Sequence, residues 1–200
     1  VDGGYVSDKV YSSNSFTNAY DLIDSYGKEQ GNNNSTVGFA ASNDEFAGQA
    51  LPLTVPATIT GFALEIKNGT TPVGTVQACI MGTDATAYPN KEGDLNIIAT
   101  GSTFNTSNLT ASYTIYYFTF PEPVYLTAGD YWVGLALQGM TSGTIIIHMD
   151  STSPTHAGNL AMYTGTSWTV AGQDYVFYLY GSKNLTLTTK GSDSLTATSP

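Results

Sequence analysis

The chain contains no arginine. All six basic residues are lysines, set against sixteen Asp and Glu, for a formal net charge of −10 and a pI near 4.2. Without guanidinium groups there is no bidentate fork for phosphates or guanine edges, and a field of this sign repels polyanions. Nucleic acid and anionic membrane are therefore not expected as partners. Cysteine is as scarce: Cys79 stands alone, so no internal disulfide staples the fold. No apolar run approaches the roughly 20 residues of a membrane span, so no membrane insertion is expected in this segment. Charged residues are only 11% of the 200, against roughly 25% in an average domain, so solubility has to come from Ser, Thr, Asn and Gly. That balance suits an extracellular sheet protein. The chain opens on Val1 without Met or a signal-peptide apolar segment, and reads as a mature or excised piece.

Catalytic machinery is also missing. There is no Gly-x-Ser-x-Gly elbow, no phosphate-binding Gly-rich loop, and no His beside the single Cys. His148 and His156 are the only imidazoles. A hydrolase would have to use a carboxylate pair, as glycosidases do, and sixteen scattered acids always permit one. The expectation is a protein that is not an enzyme.

What is present is a two-residue period. Residues 1–45 form a polar segment, an arm or first strands, with an Asn-rich run at residues 31–35 and a short helix expected over residues 18–26, capped by Asn18 and stopped by Gly27. Residues 46–181 read as the β-sandwich core. Residues 58–67 set Phe62, Leu64 and Ile66 on one face and Gly61, Ala63, Glu65 and Lys67 on the other. Further strands are expected over residues 97–104, 113–120, 131–138, 144–149, 159–163 and 175–181. They are separated by turn signals such as Asn68-Gly69, Pro121-Glu122-Pro123 and Ala171-Gly172. Residues 175–180 are apolar on both faces, as in a central strand. Residues 182–200 are Ser/Thr-rich, a last strand or a linker, with Leu185 and Leu187 alternating with Thr. Many short strands without intervening helices predict an all-β, antiparallel, jelly-roll-like sandwich.

Four constellations are candidates for chemistry. His148 and Asp150, two apart on a strand, with His156 nearby, could offer metal ligands, although no metal is named on this basis. Calcium is the more suitable ion, and the acidic loop with Asp84, Asn90, Glu92 and Asp94 supplies hard oxygen ligands; otherwise no cofactor is expected. Fourteen Tyr, two Trp and eight Phe exceed what a small core needs, and sugars stack their C–H faces on such rings. Trp168, read as lying in a polar loop, is the best-placed glycan contact, followed by Tyr163 and Tyr88. Asn33, Asn34, Asn68, Asn105, Asn108 and Asn184 each open an Asn-x-Ser/Thr sequon.

The stretches LPLTVPATITGFALEIKNGTTPVGTVQACI (residues 51–80), YYFTFPEPVYLTAGDYWVGLALQG (116–139), HAGNLAMYTGTSWT (156–169) and DYVFYLYG (174–181) resemble the β-sandwich modules of bacterial and archaeal choice-of-anchor surface proteins, and similar modules in phage virion proteins. The resemblance covers residues 49–181. It implies a non-catalytic, exported, jelly-roll-like domain on a cell or virion surface. The expected function is a structural or adhesive module of a cell-surface, filament or virion assembly, whose partners are glycans, other copies of itself or surface proteins. The alternative is a carbohydrate-binding module of a secreted polysaccharide-degrading enzyme.

Overall fold

The computed structural model describes residues 21–39, 44–82, 97–183, 186–189 and 195–198. The order opens with β1 (Leu22–Tyr26), β2 (Asn33–Val37), β3 (Phe46–Leu53), β4 (Ala57–Asn68) and β5 (Val73–Gly82). It continues with β6 (Ile97–Asn105), β7 (Thr114–Leu126), β8 (Gly129–Ala136), β9 (Met140–Ser142) and β10 (Ile145–Asp150). The remaining strands are β11 (Leu160–Tyr163), β12 (Trp168–Ala171), β13 (Asp174–Tyr175), β14 (Phe177–Lys183), β15 (Thr186–Thr189) and β16 (Leu195–Thr198).

Two antiparallel sheets pack face to face as the expected all-β sandwich. The first runs β1-β14-β4-β10-β13, with β2 joined to β10 and β7 to β4. The second runs β12-β11-β3-β8-β5-β6, with β9 on β5. The chain changes sheet at most of the connections between these strands. Among the described residues, strands β15 and β16 pair with each other alone, from Thr186 opposite Thr198 to Thr189 opposite Leu195.

Alternation fixes which side of each strand is buried. Phe62, Leu64 and Ile66 of β4, Phe118 and Phe120 of β7, and Phe177 and Leu179 of β14 meet Leu51, Ile80, Val133 and Leu135 of the second sheet. Phe62 and Phe118 stack with centroids 5.2 Å apart. Each such side chain gains roughly 1.5–3 kcal/mol from burial, enough for this core to carry the fold without disulfide help. The opposite side of the second sheet holds a separate buried cluster: Phe46, Cys79, Met81, Trp132, Ala161 and Tyr163.

Three expectations are corrected. Residues 22–26 form no helix but are β1, paired with β14 from Leu22 opposite Tyr180 to Tyr26 opposite Phe177. Burying Tyr26 in the core outweighs the local helix signal. The Pro121–Pro123 segment does not end its strand. Ile59 pairs with Val124 and Gly61 with Thr119, so four residues of β7 stand opposite Thr60 alone, a bulge that accommodates prolines lacking N–H groups. Finally, Trp168 is not in a loop. It opens β12 opposite Tyr163, after a tight reversal in which the Thr164 N–H donates to the Ser167 carbonyl at 3.1 Å and Gly165 adopts φ +78°.

Candidate functional site

The outward side of the first sheet is built around two small residues of β4. Ala63 lies opposite Tyr117 on one neighbour and Tyr178 on the other, and Gly61 lies opposite Tyr180. Gly61 has to be glycine, because a Cβ there would sit 2.5 Å from the Phe118 carbonyl oxygen. With so little bulk on the central strand, the flanking tyrosines lean over it. The Tyr117 and Tyr180 rings have centroids 5.8 Å apart at an interplanar angle of 40°. Tyr117 remains 65% exposed, and Tyr125, opposite Thr58 further along β7, is 60% exposed. Burial first, and then the hydrogen bond with Tyr117, which favours the protonated phenol, pushes Tyr180 up to about 12, so it stays protonated at neutral pH. The Tyr178 hydroxyl accepts the Lys28 N–H at 3.1 Å.

One end of this face carries the charged groups. Glu65, buried on β4, pairs with His148 of β10, Oε2 to Nδ1 at 2.5 Å. The Tyr113 ring stacks on the imidazole with centroids 4.4 Å apart, and Lys67 Nζ lies 4.2 Å from the centre of the same ring. The Tyr113 hydroxyl donates to Asn34 Oδ1, and burial, then the Glu65 charge, raises its pKa. These groups satisfy one another. The chemistry left facing outward is that of flat rings with hydroxyl tips.

The other candidate residues are dispersed. His148 is engaged by Glu65, while Asp150 accepts hydrogen bonds from Tyr26 and Asn32 and from the N–H groups of Thr152 and Ser153. His156 Nε2 lies 3.1 Å from Asp24 Oδ2, and its backbone N–H donates to Asp174. Asp174 is fully buried, and desolvation raises its pKa despite Gln49 Nε2 donating to it at 3.0 Å. Among the described residues no group of three or more His, Cys, Asp or Glu is placed to hold a metal. The acidic loop at residues 84–94, with Tyr88, lies outside the described residues, as does Asn184.

Tyr163 is 2% exposed, inside the second cluster, and Trp168 leans on it with centroids 4.7 Å apart and meets Phe46 edge-on at 5.9 Å. Tyr163 therefore holds Trp168 in place and offers no ring face itself. Of the sequon residues, Asn33, Asn34, Asn105 and Asn108 are exposed and Asn68 is half-buried. Asn105 Oδ1 also caps the 3-10 turn at Thr106–Asn108 through the Ser107 N–H.

Sequence reading passed over Tyr117, Tyr178 and Tyr180. The signal was the i, i+2 pair of tyrosines in β14 facing the side of β4 that carries Gly61 and Ala63. No protein-family model matches this chain, and no curated protein matches it.

Proposed function

We propose that this chain is a non-catalytic, extracellular adhesive module of a surface assembly, and that it grips neutral polysaccharide on the tyrosine face of its first sheet. The observation that carries the reading is the Tyr117–Tyr180 ring pair arched over Gly61 and Ala63, with Tyr117 two-thirds exposed. A flat aromatic surface is complementary to the C–H faces of an extended sugar chain, and the phenol tips supply hydrogen bonds. The acidic net charge favours a neutral polymer over an acidic one.

Affinity electrophoresis through gels containing soluble β-glucan, xylan, galactomannan or α-glucan tests it. Retardation by at least one polymer is expected, with Tyr117→Ala relieving it while leaving the melting temperature nearly unchanged. Free migration of the native chain through all four, or undiminished retardation of the variant, overturns the reading.

A further inference from the structure

We propose that a second binding site lies on the opposite side of the sandwich, in a cleft of about 350 Å³ on the outer side of the second sheet, and that it takes one neutral sugar residue, such as a chain end. It does not depend on the tyrosine face. The cleft forms where the end of β3, the start of β8, residues 157–159 and Val170 of β12 converge.

Its construction is specific. Ala50 pairs with Trp132 across β3 and β8, and both line the cleft, where the small alanine leaves room that a larger side chain would fill. Gly158, at φ +116°, lies so close that a Cβ there would be 2.7 Å from the Ala50 Cβ, so only glycine brings the loop this near. The Ala50 N–H donates to the Asn159 carbonyl at 3.0 Å and pins that loop to the sheet. Trp132, 3% exposed, is wedged into the cluster with Phe46 and Met81, so the cleft is held rigid before anything enters.

The lining selects a class of ligand. Ala50, Leu51, Pro52, Tyr131, Trp132 and Val170 make most of the lining apolar, while Asp130 and Asn159 line it at exposed positions. Among the described residues no Lys or His lines the cleft, and with a carboxylate at the rim of a chain carrying −10 this disfavours phosphates and acidic sugars. A quaternary ammonium needs an open aromatic face, and of the two aromatic lining residues Trp132 is 3% exposed and Tyr131 packs against the inner core. A neutral pyranose, apolar on its faces and ringed by hydroxyls, matches apolar walls with an acceptor and an amide at the rim. The volume lies near the lower end of the roughly 300–1,000 Å³ of small-molecule pockets, the scale of one ring and not of a chain.

Saturation-transfer NMR on the full chain tests this with glucose, galactose, mannose and N-acetylglucosamine, alongside glucuronate and choline. Transfer to at least one neutral sugar is expected. It should weaken about tenfold in Asp130→Asn, a rim change that leaves the core intact, and vanish in Ala50→Leu, which fills the cleft. Tyr117→Ala should leave it unchanged, so failure here is separate from failure of the tyrosine face. Silence from all four neutral sugars, preference for glucuronate or choline, or full binding by both cleft variants overturns the proposal.

Discussion

The Tyr26 hydroxyl donates to the Asp150 carboxylate at 2.6 Å, joining residues 124 apart in the chain and tying β1 to the end of β10. This bond, then the N–H groups around the carboxylate, hold the Asp150 pKa down to about 2. A depressed acid contributes stability that is fully present above its unfolded value, roughly 3.9, and that disappears as the pH falls toward about 2. Asp174, raised by burial, acts in the opposite sense and costs stability as the pH climbs through its own titration. Thermal melts from pH 7 to pH 2 should show a steep loss below about pH 4. In Asp150→Asn that part of the slope should be absent and the midpoint at pH 7 lower. Identical acid slopes in the two proteins would contradict the assignment.

Cys79 is fully buried in the outer cluster of the second sheet, and desolvation pushes its thiol up to about 12. Thiolate is the reactive form, so the native protein should not react with a disulfide reagent over hours at pH 8, and in denaturant it should release one equivalent within minutes. Prompt reaction of the folded chain would show that the cluster opens readily.

Gly134 of β8 faces Gly48 of β3, and a Cβ on Gly134 would come within 2.2 Å of the Ala47 carbonyl oxygen. Backbone cannot yield as a flexible side chain does. Gly134→Ala should cost about 1–3 kcal/mol or more in urea unfolding, as overpacking does. Gly172→Ala, where nothing lies within 4 Å, should be nearly neutral and serves as the control.

Trp168 and Phe46 touch but differ in burial, and their truncations should separate accordingly. Phe46→Ala empties a fully buried position and should cost about 3–5 kcal/mol. Trp168, half-buried on the edge strand, should lose less on truncation, about 1–3 kcal/mol, because part of its ring is already in water. Equal losses would mean that the indole is as integral to the cluster as the phenyl ring.

Much of the sandwich was legible because burial imposes a two-residue period. Phe62, Leu64 and Ile66 reveal their face by hydropathy alone, and Asn68-Gly69 and Ala171-Gly172 do mark strand ends. Strand β12 was not legible, since Trp168 stands among Thr, Ser and Gly, and its pairing with Tyr163 is a property of the hairpin as a whole. The tyrosine face was hidden for another reason. Tyr178 and Tyr180 alternate with Phe177 and Leu179, and a residue both apolar and hydroxylated does not say which side of its strand meets water. Gln49 and Asp174 were equally silent. Their hydrogen bond spans 125 residues, and only the register of two sheets brings them together.

The repeated passage of the chain between sheets bears on when this molecule can fold. β4, in the middle of the first sheet, takes its neighbours β7, β10 and β14 from segments that follow it, and β1 has no partner until β14 exists. A nascent chain therefore carries half-built sheets until Lys183 has left the ribosome. Pairings this distant close on the millisecond-to-second scale typical of sandwich topologies. β14, the last strand of the first sheet to be made, thus acts as a latch: it joins β1 to β4, and the sheet closes only when it arrives.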